Sequence, residues 1–315
     1  MSPAQNNKQH LLAISQALFV TFLWSTSWIL IKMGLKADLP PVTFAGLRYT
    51  LAFLCLLPFV IGNKEHRQIV ARLPRVEWIE LIVLGVLYYT LAQGAQFVGL
   101  AKLPASTLTL LLNFSPVFIA FYSVFTKYEQ TSLLQWGGIL ISLIGAFVYF
   151  LPLHLENSQI VGLIAAFIGV TSNSAASILG RKVNSHGRIN PVIVTTISMG
   201  VGGILMLVLG IVVQGVGTIT PQQWGIIGWL AVVNTALAFT LWNKSLQTLT
   251  AVESSIINST MLPQITLLAW LFLGEAIDTK EVLGLALVLG GTLTVQLWRY
   301  LPISKKQTLA IGENK

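Results

Sequence analysis

The sequence predicts an all-α polytopic membrane protein: ten transmembrane helices arranged as two inverted five-helix repeats. Three observations predict it. First, 54% of the 315 residues are hydrophobic and only 10% are charged, whereas soluble domains carry about 25% charged residues. So few charges cannot cover the surface of a soluble protein of this size. Second, the apolar residues fall into ten runs of the length that crosses a bilayer as a helix, about 20 residues. Third, the chain overlays on itself with a shift of 146 residues.

The ten runs are, in order, 11–32, 41–61, 78–99, 103–125, 134–151, 160–180, 191–213, 224–242, 250–273 and 281–301. Met1 to His10 forms a short polar tail ahead of the first. It lacks the small-residue cleavage site of a signal peptide, and the run behind it is too long for a signal sequence, so it is expected to stay. The connections are short, and none is long enough for a soluble domain. The expected divisions are residues 1–150 for the first repeat, 151–301 for the second, and 302–315 as a tail.

The net charge of +8 follows the spans rather than forming a patch. Basic residues cluster at Lys64, Arg67, Arg72 and Arg75, at Arg181, Lys182 and Arg188, and at Arg299, Lys305 and Lys306. No aromatic-interleaved basic motif accompanies them, so nucleic acid is not an expected partner. With the N-terminus inside, 14 of the 19 Lys and Arg residues fall on the cytoplasmic side; the other five are Lys32, Lys36, Arg48, Lys102 and Lys280. The positive-inside rule therefore puts both termini in the cytoplasm. The lipid bilayer is the expected surrounding, with anionic lipid attracted to the basic loops.

The shift of 146 superposes Glu129 on Glu275, Gly138 on Gly284 and Gly145 on Gly291; one further residue brings Pro116 onto Pro263. Because five spans is an odd number, the second copy must enter the membrane from the opposite side. Inverted repeats of this kind are typical of secondary transporters, where two equivalent halves exchange inward- and outward-open shapes around a central site.

The same segments carry a resemblance. The first span reads "FLWSTSWILIKMGL", the second begins "PPVTFAGLRYTLAFL", and the fourth is "PASTLTLLLNFSPVFIAFYSVF" followed by "KYEQ". The second half has "AVESSIINSTMLPQITLLAWLFLGEAI" and then "GLALVLGGTLTV". Over about residues 11 to 301, these resemble the drug/metabolite transporter superfamily in its ten-helix EamA-type branch. The resemblance implies a permease or exporter of a bacterial inner membrane, moving amino acids, other small metabolites or drugs through a cavity between the repeats.

Polar groups at membrane depth are the candidate site, since each needs a partner or water. Candidates for the lining are Trp24, Ser25 and Trp28 in span one, with Tyr88, Gln93 and Gln96 in span three. Span four adds Asn113 and Ser115, and span six adds Asn173 and Ser177. Span eight gives Asn234 and Trp242, and span nine Asn258 and Gln264. Each can equally serve as interhelical glue. Arg48 lies seven residues past Pro41 with no carboxylate near it in sequence. It has either a structural role, snorkelling outward or bonding carbonyls of a neighbouring helix, or the role of attracting an anionic group such as a substrate carboxylate. Lys32 is expected to snorkel outward, and Glu129 and Glu275 to cap or pair at span ends. Pro116 and Pro263 are expected to bend spans four and nine at mid-membrane, each leaving the carbonyl four residues back without its donor. Those carbonyls are Leu112 and Ser259, beside Asn113, Ser115 and Asn258.

Several chemistries find no support. There is no G-x-x-x-x-G-K-[ST] nucleotide loop, and His10, His66, His154 and His186 lack metal-ligand spacing. The spans hold no nucleophile–base pair, so neither an enzyme nor a cofactor or metal is expected. Cys55 is the one cysteine, so no intrachain disulfide can form. The expected function is alternating-access transport, most simply export, of a small neutral or zwitterionic solute or drug. A channel or a non-transporting scaffold is the alternative. Substrate, direction, coupling ion and oligomeric state are open, and ten helices could enclose a site as a monomer.

Overall fold

The fold is described from a computed structural model covering residues 3–36, 39–115, 118, 133–150, 157–185, 189–246, 248–249 and 257–297. Pro116, Lys127 and Glu129, and with them the expected bend of span four, lie outside these residues. The described chain is nearly all helical. Six helices are long and apolar enough to cross a membrane: Gln9–Leu35, Pro41–Ile61, Arg75–Lys102, Gln159–Asn184, Pro191–Gln214 and Pro221–Ser245. Trp136–Phe150 and Ile257–Leu273 are shorter apolar helices, and Thr279–Leu297 follows them. Ala105–Leu112 opens the fourth run.

Prolines begin several of these helices where a missing N–H costs nothing. Pro41, Pro191 and Pro221 each stand in the first turn, the last two behind the side-chain caps Asn190 and Thr220. The sequence expectation differs from the structure at the N-terminus, where the helix already begins at Pro3. No breaker separates the polar residues from the apolar run, so the helix propagates back through them. A further short helix, Lys64–Ala71, forms in the basic connection, capped by the Asn63 side chain on the Glu65 amide at 2.9 Å.

Large apolar side chains point outward along the spans. Phe59, Phe147 and Phe272 are each more than 60% exposed, as a lipid-facing surface requires. Inside, the helices approach through glycine. Pro41–Ile61 packs antiparallel against Pro191–Gln214, with Gly46 against Leu207, Gly203 against Tyr49 and Gly210 against Thr43. A β-carbon on Gly85 would stand 2.5 Å from the Ser198 carbonyl. Leu133–Phe150 and Thr279–Leu297 pair likewise: Gly138 faces Gly291, and a β-carbon on Gly145 would stand 2.8 Å from the Gly284 carbonyl. Without side chains between them, the backbones reach van der Waals contact, which is how apolar helices associate in lipid.

Two helices change their winding. Arg75–Lys102 passes through a π-helical segment at Val86–Gln93, and Pro221–Ser245 through another at Val232–Leu237. Bulges of this kind concentrate at functional sites because the wider turn re-aims side chains and leaves carbonyls for other donors.

Candidate functional site

The two π-helical segments and the first two spans meet around one cluster of aromatic and polar side chains. Trp24 lies 5.0 Å from Phe239 and 5.1 Å from Trp242, ring centre to ring centre. Tyr88 is 5.8 Å from Phe239 and 5.1 Å from Tyr89, and Tyr89 is 5.4 Å from Tyr49. The result is a continuous aromatic wall drawn from spans one, two, three and eight. Tilted and edge-on geometries of this kind stabilise ring pairs beyond their buried area.

Arg48 stands at one end of that wall and is 2% exposed. Its guanidinium carbon is 5.2 Å from the Tyr49 ring centre and 5.9 Å from that of Phe97. Nε donates to the Thr235 hydroxyl at 2.7 Å and Nη2 to the Asn234 carbonyl at 3.4 Å. Thr235 in turn donates to the Leu230 carbonyl at 2.8 Å. The π-helical turn thus supplies oxygen acceptors for the arginine. No carboxylate among the described residues lies within ion-pair distance of it. Of the two roles the sequence left open for Arg48, bonding to a neighbouring helix is what its present contacts describe.

Asn234 is fully buried, its amide donating to the Leu23 carbonyl and, at 3.2 Å, to the Thr26 hydroxyl. These two bonds hold span eight against span one on either side of Trp24. The side-chain oxygen of Asn234 and the indole N–H of Trp24 are buried without a hydrogen-bond partner. Gln93 accepts the Tyr49 hydroxyl at 2.7 Å. Ser25 donates to Gln264 at 3.0 Å, and Gln264 to the Thr260 hydroxyl at 3.1 Å. Trp28 and Gln96 are buried nearby in sequence, Trp28 within the main apolar core.

The remaining candidates form a second patch or stand apart. Asn173 donates to the Ser115 hydroxyl at 3.3 Å, and Ser174 to the Ser115 carbonyl at the same distance. Ser115 itself covers the Leu112 carbonyl at 2.9 Å, the group that the proline after it cannot serve. Asn113 bonds back to the Thr109 carbonyl. Ser177 is exposed and bonds within its own helix, and Asn258 is exposed. Pro263 is the third residue of Met261–Leu273, and the helix is interrupted three residues earlier, at Thr260. In a first turn its missing N–H removes no bond, so the interruption precedes the proline instead of centring on it.

Sequence reasoning missed Tyr49, Phe239 and Thr235 in the cluster, and the bond from Asn243 to the Thr195 hydroxyl. Tyr49 and Thr235 adjoin candidates in sequence, a usable signal. Phe239 is one apolar residue among many and gives none. An apolar groove of about 500 Å³, lined by Leu262, Pro263, Thr266, Trp270, Val282 and Leu285 among others, lies between the last two spans and shares no lining residue with the Arg48 cluster.

Charged groups secure the two ends of the bundle. Lys182 pairs with Glu80 at 2.8 Å. At the opposite ends of these helices, Lys32 donates to the carbonyls of Leu100, at 2.6 Å, and Leu103. Glu275 accepts the Ala105 amide at 2.8 Å and the Ser106 amide and hydroxyl at 3.2 and 3.0 Å. A carboxylate on two free amides of a helix start is favourable by geometry and by the helix dipole. Lys32 therefore works inward, as a cation on a helix C-terminus, where the sequence suggested that it snorkels outward.

Six helices long and apolar enough to cross a membrane, packed around an aromatic and polar cluster, define a polytopic membrane protein. The chain belongs to the EamA-like transporter family, which matches residues 11–151 and 160–297. Its activity is therefore transport, not catalysis. It is 24% identical over 279 residues to the S-adenosylmethionine/S-adenosylhomocysteine transporter of Chlamydia trachomatis, covering 84% of this chain and 83% of that one. It is 23% identical to the uncharacterized transporter YoaV of Bacillus subtilis, over 86% of this chain and 92% of that one. A solved crystal structure at 18% identity shares the fold, with a TM-score of 0.62 over 90% of this chain and 97% of its own.

Proposed function

We propose that this chain is a secondary transporter that exports a small zwitterionic or neutral metabolite by alternating access between two inverted five-helix repeats. One observation carries the reading. The π-helical segments starting at Val86 and Val232 are separated by the same 146 residues that superpose the two halves of the sequence, and both border the one aromatic–arginine cluster. Two matched, rewound helices facing a shared centre are what a site between equivalent halves requires. The glycine contacts support the same symmetry. Gly138 and Gly145 correspond to Gly284 and Gly291 under the shift, yet each packs on the other's counterpart. A two-fold axis between the halves gives such an exchange. The named relative that carries S-adenosylmethionine and S-adenosylhomocysteine supports an amino-acid-like solute.

In this reading the repeats are residues 1–150 and 151–301, with a cytoplasmic tail at 302–315 and both termini on the cytoplasmic side of the bacterial plasma membrane. The cavity-facing set is drawn from Trp24, Ser25, Tyr88, Gln93, Asn234, Trp242 and Gln264, together with Arg48. Purified protein in liposomes tests the reading. Uptake of labelled S-adenosylhomocysteine and amino acids is expected to saturate and to accelerate when unlabelled solute is placed on the far side. Flux that neither saturates nor shows exchange would overturn it in favour of a channel. A proton gradient applied to the same vesicles reports the coupling ion.

A further inference from the structure

Arg48 and Asn234 present an unfinished pair of complementary groups. A buried guanidinium is expensive unless an anion meets it, and among the described residues none does. Its bonds go to one hydroxyl and one carbonyl, both neutral. The residue that supplies that carbonyl, Asn234, carries a fully buried side-chain oxygen with no partner. Natural interiors rarely leave such an acceptor empty. A cation lacking an anion thus adjoins a residue whose acceptor lacks a donor.

We infer that Arg48 and Asn234 form the head-group subsite for an α-amino acid type of zwitterion. The carboxylate pairs with the Arg48 guanidinium, and the ammonium donates to the Asn234 side-chain oxygen. The bulk of the solute lies along the wall of Trp24, Tyr88, Phe239 and Trp242, which suits a large apolar or aromatic group. The unpartnered Trp24 indole N–H offers one further donor to it. This assignment rests on the transport reading above and specifies the chemistry of its site. In the present conformation these side chains close on one another. Loading therefore requires span eight to part from span one at the bonds from Asn234 to Leu23 and Thr26.

Binding to purified protein in lipid nanodiscs, read by the fluorescence of its nine tryptophans, tests the assignment. The probes are S-adenosylhomocysteine and L-phenylalanine, each compared with its carboxamide and with its N-acetyl form. Charged hydrogen bonds of this kind discriminate by about tenfold or more, so both modified forms are expected to bind at least that much more weakly. Arg48→Met should abolish the difference between acid and carboxamide while preserving that for the N-acetyl form, and Asn234→Ala should do the reverse. A purely structural arginine would weaken all probes alike and leave the ratios unchanged, which would overturn the proposal. If the variants fail to fold, the wild-type series still decides, since equal binding of acid and carboxamide overturns it too. Transport of these solutes without carboxylate discrimination refutes the subsite alone. Absence of binding and transport for every probe refutes the substrate class as well.

Discussion

At the scale of single residues, burial in lipid makes every polar group answerable for a partner. Tyr49 and Gln93 illustrate this, since their bond joins spans two and three beside Arg48. Tyr49→Phe leaves the Gln93 oxygen without that donor and is expected to cost about 0.5–2 kcal/mol. Thermal unfolding in detergent should register a lower midpoint, and an unchanged midpoint would show that the bond contributes nothing. Glu275 is a second case, as its carboxylate serves three donors at the start of Ala105–Leu112. Glu275→Ala should destabilise that helix end by about 1 kcal/mol, and Glu275→Gln by less. Hydrogen exchange at the Ala105 and Ser106 amides would detect it as faster exchange; identical rates in wild type and Glu275→Ala would remove the capping role.

At the scale of helices, glycine decides which pairs can touch. Replacing Gly145 or Gly284 by Leu would force Leu133–Phe150 and Thr279–Leu297 apart, because each β-carbon meets backbone at under 3 Å. The expected outcome is loss of monodisperse protein on size exclusion. Gly137 on the same helix has nothing within 4 Å, so Gly137→Ala should be tolerated or slightly stabilising. Equal behaviour of the two sites would contradict the packing. The π-helical segments belong to this scale too. Nothing in "VLYYTLAQ" or "VVNTAL" marks a change of winding. Periodicity reports which face is buried, whereas a rewound turn depends on competing donors such as Arg48, which reaches the Val232–Leu237 segment from another part of the chain.

At the scale of the molecule, charge and symmetry set the arrangement. His66 and Asn190 meet at 3.2 Å where Pro41–Ile61 ends and Pro191–Gln214 begins, close in sequence to Lys64, Arg67 and Arg188. Thr43 and Gly215 meet at 2.8 Å at the other end of the same pair. Opposite exposure is therefore expected for Gln68→Cys and Thr218→Cys in a Cys55→Ser background. A membrane-impermeant maleimide applied to intact cells should label only Thr218→Cys. Labelling of Gln68→Cys instead would reverse the predicted topology, and labelling of both would break it.

The apolar runs and scarce charges determined by themselves that this chain lives in a membrane, and among the described residues the runs at 41–61, 134–151, 191–213 and 224–242 located their helices to within a few residues. Those features are legible because a hydrocarbon solvent imposes the same demand on every spanning segment, independent of its neighbours. Arg48, Gln93 and Asn234 were legible as candidates for the same reason: polar groups in apolar runs stand out. Only the tertiary structure decided what each one meets. It joined Arg48 to Thr235 across 187 residues of sequence, drew Tyr49 and Phe239 into one wall, and turned Lys32 and Glu275 onto helix ends. Such pairings depend on how helices cross and rotate, which glycine contacts and π-helical turns set jointly across the whole bundle. No local stretch of sequence contains that information.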